Sequence, residues 1–152
     1  MLHIALWQPE IPPNTGNVAR LCAATGCRLH LIGKLGFKID DKHLRRAGLD
    51  YWPSVDLKLH ATMADFEAEF KNLDRIFCLS ARAVRPYTQI DIRSGDCLMF
   101  GPESCGLSPE IMERHRERTF VIPMPAAKVR SLNLSTAVGI VVYDGLRRLQ
   151  SW

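Results

Sequence analysis

Short, continuously apolar runs alternate with helical segments along this chain, and that alternation restricts its fold more than any other feature. The run Leu2-His3-Ile4-Ala5-Leu6-Trp7 reads as a buried strand, and residues 28–32, 75–80, 97–100 and 119–122 read as further strands. Between them the sequence predicts helices. Asn14 is a suitable N-cap for a first helix through Val18, Leu21 and Cys22, which Gly26 ends. Before it, Pro9, Pro12 and Pro13 predict an extended loop. Asp40 can cap a short helix carrying His43, Leu44 and Ala47, which Gly48 stops. Thr62 caps a helix with Met63, Phe66, Phe70 and Leu73 on one face. Ser108 followed by Pro109 starts another through Ile111 and Met112, and residues 131–150 form the last. Strands this apolar, separated by helices, argue for an α/β fold: a mostly parallel sheet with helices on both faces.

With 152 residues, 47% of them hydrophobic, the chain is expected to be one globular domain spanning residues 1–152. The longest unbroken apolar stretch, residues 138–142, is far short of the roughly 20 residues of a membrane span, and no signal peptide is evident, so a cytoplasmic protein without membrane attachment is expected. Five cysteines without paired spacing (Cys22, Cys27, Cys78, Cys97, Cys105) read as reduced thiols. The five histidines are scattered without ligand spacing, so each reads as a surface or strand-edge residue and no metal is expected. The last helix is apolar almost all round from Leu132 to Leu146, which predicts burial on several sides, by the domain and a second subunit.

Three segments rich in glycine, asparagine and serine stand far apart: Asn14-Thr15-Gly16-Asn17, Gly101-Pro102-Glu103-Ser104-Cys105-Gly106 and Ser131-Leu132-Asn133-Leu134-Ser135. Each lies where an apolar run ends, and in open α/β sheets that edge is where ligands bind. The first opens a helix whose free N–H groups suit a phosphate, with Arg20 one turn on as a bidentate fork. Arg20 sits among Val18, Ala19, Leu21 and Cys22, which predicts a buried guanidinium in need of partners. In the second, the glycines allow close backbone approach and Glu103 supplies a fixed acceptor. No P-loop, dinucleotide fingerprint, nucleophile elbow or zinc-protease motif is present. The net charge of +4 is modest, but Lys42, Arg45 and Arg46, and Lys128 with Arg130, lie in two basic groups that suit a phosphate-bearing partner.

In order, these segments resemble the three motifs of the SPOUT superfamily of RNA methyltransferases. Asn14, Gly16, Asn17 and Arg20 match N-x-G-N-x-x-R; residues 101–106 match G-P-E-x-x-G; Ile122-Pro123-Met124 with residues 131–135 match I-P-M followed by S-x-N-x-S. The stretches 9–17 and 41–51 look most like its minimal single-domain branch, which methylates the ribose 2′-oxygen of the wobble nucleotide of tRNA. Cys105 stands where arginine or another polar residue is more usual.

The resemblance implies a C-terminal deep trefoil knot, a homodimer, and S-adenosyl-L-methionine as methyl donor, released as S-adenosyl-L-homocysteine. By position it implies cofactor contacts from Leu79, Gly101, Ile122, Met124, Ser131 and Leu132, and catalytic roles for Arg20, Ser131, Asn133 and Tyr143. A core or interface aromatic is an equal alternative for Tyr143. It implies a tRNA anticodon stem-loop, of a leucine tRNA, as partner, contacted by Asn14, Asn17, Arg20, Lys42, Arg45, Arg46 and Arg130. Alternatives are a SPOUT enzyme for another RNA, a knotted domain that binds RNA or cofactor without catalysis, and a small-molecule α/β enzyme.

Overall fold

The protein, seen in a computed structural model that describes residues 1–39, 52–126 and 128–151, is built on a six-stranded parallel sheet. Its strands are β1 (His3–Trp7), β2 (Arg28–Ile32), β3 (Leu57–His60), β4 (Ile76–Leu79), β5 (Cys97–Phe100) and β6 (Thr119–Phe120). They run in the order β3-β2-β1-β5-β4-β6, each pair parallel. The chain winds outward from β1 to β3, then crosses over to build the other half, so the order reverses between β1 and β5. The expected strands are all present; β3 is an addition. Its alternating Leu57-Lys58-Leu59-His60 is an edge strand with Leu59 exposed, too short and too polar to register as a buried run.

Among the described residues, four α-helices cover the two faces: α1 (Pro12–Thr25), α2 (Met63–Phe70), α3 (Pro109–Arg114) and α4 (Leu134–Gln150). On one face Ile4, Leu6, Leu29, Leu31, Leu98 and Phe100 of the sheet form a core with Val18 and Cys22 of α1 and Val138, Val142 and Leu146 of α4. On the other, Ala5, Cys78, Cys97 and Met99 form a core with Phe66 of α2 and Ile111 of α3. Each fully buried Leu or Ile contributes about 2 kcal/mol from apolar burial. Cys22, Cys27, Cys78 and Cys97 are buried free thiols within these layers, and Cys105 is exposed. None of the described helices is long and apolar enough to cross a membrane.

The helix ends show where local chemistry decides and where packing overrides it. Gly26 closes α1 at φ 68°, Thr62 and Asp65 form a complete capping box on α2, and Ser108 caps α3 ahead of Pro109. The expected extended loop over Pro12 and Pro13 is instead the first turn of α1, because a proline there sacrifices only N–H groups that have no helical partner. Asn14 is therefore inside the helix, and the N-cap is Ile11, without a side-chain bond. The last helix starts at Leu134, three residues later than expected, and Asn133 caps it. Within this chain it is buried on one stripe, and Thr136, Tyr143 and Arg147 are exposed. The expected helix around His43 and Leu44 lies outside the described residues, as do Lys42, Arg45 and Arg46.

The sequence suggests scattered surface or strand-edge histidines; His30, His60 and His115 are buried instead, and three of the histidines pack together. His3, His30 and His60 stack across β1, β2 and β3, with His3 Nδ1 2.9 Å from His30 Nε2 and His30 Nδ1 2.9 Å from His60 Nε2. Phe66 meets His30 and His60 edge-on. Burial first, then the other histidines and neighbouring Arg28, holds the His30 imidazole down at about 3; burial likewise lowers His3 and His60.

A second buried polar contact fixes the start of β5. Asp96, 1% exposed, accepts both arms of the Arg75 fork at 2.7 Å and the Arg93 N–H at 2.6 Å, joining the β4 and β5 entries.

Candidate functional site

The three motif segments converge at the carboxyl end of the sheet, beside the reversal between β1 and β5. Parallel strands all point their C-terminal ends here, so the loops after β1, β4, β5 and β6 are brought to one edge. Between them is a cavity of about 670 Å³. Its apolar wall carries Leu79, Phe100, Ile122, Met124, Leu132 and Leu134; its polar wall carries Asn14, Ser80, Glu103, Ser104, Arg130, Ser131 and Asn133.

Gly101 sets the shape of the wall. A Cβ on this residue would stand 2.2 Å from the Leu107 nitrogen and 2.3 Å from the Gly106 carbonyl carbon, so only glycine lets the loop fold back on itself. The loop is fastened at its far end by the Gly106 N–H to the Pro102 carbonyl at 2.8 Å and by the Arg82 guanidinium to the Leu107 carbonyl.

A chain of side-chain amides ties the three segments together. Glu103 accepts from the N–H groups of Glu10 and Ile11 at 2.8 and 3.1 Å, and from Asn14 Nδ2 at 3.1 Å. Asn14 Oδ1 accepts from Asn133 Nδ2 at 2.9 Å, and Asn133 Oδ1 accepts from the Ser135 N–H and hydroxyl at 2.9 and 2.8 Å. The polarity is forced at both ends, because an ionised carboxylate only accepts and a backbone N–H only donates. Each amide therefore has one orientation, and first, second and third segments are held in one register. Asn14 is correspondingly buried, with 5% exposure, in spite of its polar side chain.

All six residues expected to meet the cofactor (Leu79, Gly101, Ile122, Met124, Ser131 and Leu132) line this cavity, together with Asn14, Arg130 and Asn133. Asn17, Arg20 and Tyr143 are not in its lining. The expectation that Arg20 is buried is overturned. The buried stripe of α1 includes Asn14, Thr15, Val18, Ala19 and Cys22; a residue two beyond Val18 is turned about 200° away, and Arg20 is exposed. Tyr143 is half exposed on α4. Sequence reasoning misses Ser80, Ala81 and Arg82, which line the cavity from the loop after β4. That loop carries no glycine motif, and only its position after a buried strand could point to it.

A parallel sheet with a cavity walled by three glycine- and asparagine-rich loops defines the class, and comparison with known proteins agrees: the chain belongs to the SpoU rRNA Methylase family, whose model matches residues 1–143. More particularly, it is 47% identical over 154 residues to a tRNA (cytidine(34)-2'-O)-methyltransferase of Saccharophagus degradans, covering 98% of this chain and 96% of the relative. The protein of that name from Escherichia coli K12 is 47% identical over 150 residues, covering 98% and 94%. A solved structure described as "Structural insights into the 2-OH methylation of C/U34 on tRNA" superposes with a TM-score of 0.95 at 50% identity, covering 100% of this chain and 98% of that one. An AdoMet-bound rRNA methyltransferase from Sinorhizobium meliloti shares the fold at a TM-score of 0.84 and 24% identity, covering 97% of this chain and 56% of that one.

Proposed function

We propose that this protein methylates the ribose 2′-oxygen of the wobble nucleotide, cytidine or modified uridine, in the anticodon of a leucine tRNA, with S-adenosylmethionine as donor. The observation that carries this reading is near full-length identity of 47% to proteins named tRNA (cytidine(34)-2'-O)-methyltransferase, on a cavity lined by every residue the motif match assigns to the cofactor.

The cavity suits that donor. Leu79, Ile122, Met124 and Leu132 offer an apolar slot for a flat purine, while the backbone that folds tightly at Gly101 offers main-chain groups for its polar edge. When bound, S-adenosylmethionine supplies an electrophilic methyl group on a sulfonium. The protein's part is to bring a ribose 2′-oxygen in line, about 3–3.5 Å from that carbon. Ser131 and Asn133 orient the sugar at the cavity rim. Arg20 lies about 9 Å along α1 from Asn14, by the rise of six helical residues. From the exposed side of α1 its guanidinium grips the ribose and the adjacent phosphate and stabilises the developing alkoxide. A guanidinium keeps its protons in proteins and has no acceptor, which excludes simple general-base work.

We infer further that the chain's last segment is threaded as a trefoil knot and that two copies assemble in the cytoplasm through α1 and α4. Exposed Ile11 at the start of α1 and Tyr143 on α4 favour a covered face there. Arg130, Asn17 and the basic Lys42, Arg45 and Arg46 then meet the anticodon stem-loop.

The test is labelled-methyl transfer to unmodified tRNA, with nucleoside mass spectrometry of the product. Methylation confined to the 2′-oxygen of the wobble nucleotide is expected; cofactor binding without transfer to any tRNA would leave a binding domain. Arg20→Lys is expected to lower kcat at least tenfold, in the range of a lost transition-state donor. Retention of most activity would remove the bidentate role.

A further inference from the structure

Two carboxylates are crossed on the outer wall of the cavity. Glu103 takes the backbone N–H groups of Glu10 and Ile11, and Glu10 reaches back the other way. Its Oε2 accepts from the Ser104 N–H at 2.9 Å and its Oε1 from the Ser104 hydroxyl at 2.8 Å. Glu103 belongs to the second motif. Glu10 is outside all three motifs and outside the cavity lining, yet it holds a residue that forms the wall.

We propose that Glu10 is a positioning residue for the methyl donor, acting through Ser104 to hold residues 104–106 in the shape that binds it. The inference rests on the function proposed above. Ser104, Cys105 and Gly106 all line the cavity, and they belong to no helix or strand that would fix them. Their other ties run from the Gly106 N–H to the Pro102 carbonyl and from Arg82 to the Leu107 carbonyl and, at 3.5 Å, the Cys105 carbonyl, so the Ser104 end is held by Glu10. Glu10 itself comes from a rigid support. Its own N–H is taken by Glu103, and its Cα and carbonyl oxygen press on Gly36, where a Cβ would come within 2.8 Å. The Gly36 N–H in turn donates to the Pro9 carbonyl at 3.0 Å. The carboxylate is thus delivered from a fixed backbone to a wall that has no regular structure of its own.

The consequence is thermodynamic. A ligand whose binding-competent state is only partly populated binds more weakly by that fraction. Losing two charge-assisted bonds lets the wall leave its binding shape. Glu10→Ala is expected to raise the Kd for S-adenosylmethionine about fivefold to tenfold. At saturating cofactor kcat stays within about twofold, as does KM for tRNA, because nothing at the transfer centre is changed. Hydrogen exchange at the amides of residues 104–107 quickens in the cofactor-free protein. Glu10→Gln restores most of the affinity, since its amide oxygen still accepts from the Ser104 N–H and its amino group donates to the hydroxyl. Ser104→Ala, which removes one bond of the two, gives an effect of about twofold.

Calorimetry with wild-type protein and the three variants, exchange mass spectrometry without cofactor, and urea midpoints to certify folding decide the matter. Wild-type affinity in a folded Glu10→Ala protein would overturn the inference while leaving the proposed function intact. A Glu10→Gln protein as weak as Glu10→Ala would overturn it too, by showing that hydrogen bonds to Ser104 do not hold the wall. Failure of the wild-type protein to bind the cofactor would remove the reading beneath it.

Discussion

Gly101 is the residue on which the cavity wall turns. A methyl group there collides with backbone at 2.2 and 2.3 Å, and backbone cannot rotate away as a flexible side chain can. Gly101→Ala should cost about 1–3 kcal/mol of stability, the range for forced overpacking, and lower cofactor affinity at least tenfold. Urea unfolding and calorimetry read the two effects separately. Asn133 has two duties that chemistry can divide. Its oxygen caps α4, and its amino group donates to Asn14. Asn133→Asp keeps the acceptor and loses the donor, so it should preserve the cap, worth about 1 kcal/mol, which Asn133→Ala gives up. Both variants break the tie to Asn14, so both should bind cofactor more weakly while their urea midpoints differ. Equal midpoints would show that the cap contributes nothing. The motif asparagines are visible in the sequence, but their linkage is not. Asn14 reads as a helix cap because a polar residue after two prolines has that local signature; only the fold shows Asn133, 119 residues later, meeting it.

Among the elements, the three strands on one side of the reversal carry a titratable ladder. His60 Nδ1 faces Glu69 at 3.7 Å, and this carboxylate, held below its ordinary range first by its hydrogen bond from Lys58, favours donation toward itself. That sense runs back through His30 to His3, one proton per neutral ring. The charged groups around the ladder are Arg28, Lys58, Asp56, Asp65, Glu69 and the N-terminus, and the cations oppose protonation. The folded-state values are depressed below the unfolded value near 6.5. The ladder's contribution is therefore fully present above about pH 6.5 and lost as pH falls from there toward 3. At pH 4.5 the loss from His30 alone is on the order of 3 kcal/mol. Urea midpoints measured from about pH 7 to 4.5 should fall steeply for the wild type and less so for His30→Gln, whose side chain does not titrate. Parallel slopes would place the acid sensitivity elsewhere. None of this is legible in the sequence, because β3 does not announce itself there: without it His60 has no strand to stand on, and His3 and His30 are 27 residues apart with no motif between them.

At the scale of the molecule, periodicity carries the architecture. Apolar runs separated by capped helices announce a two-faced parallel sheet, since a strand buried on both sides needs no polar alternation. What periodicity cannot supply is depth within the fold. It puts Arg20 among apolar neighbours and implies burial, whereas the stripe of α1 that meets the sheet excludes it; within one chain, α4 packs by one stripe alone. The same distinction governs how an RNA would be held. The chain's net charge of +4 is too small to dominate binding, so affinity for a polyanion must come from where cations cluster. Under the proposed function, Lys42, Arg45 and Arg46 are such a cluster, a few residues along the sequence from the Gly36 that supports Glu10. Each phosphate neutralised releases counterions and steepens the fall of log affinity with log salt by about 0.7–0.9. Replacing all three by glutamine should therefore reduce the slope by about 2–3 and weaken tRNA binding most at low salt, with cofactor affinity unchanged. Filter binding of the anticodon stem-loop from about 50 to 300 mM salt, a range in which such slopes are resolved, measures it directly. A slope equal to that of the wild type would move the phosphate contacts to the second basic group, where Arg130 already lines the cavity.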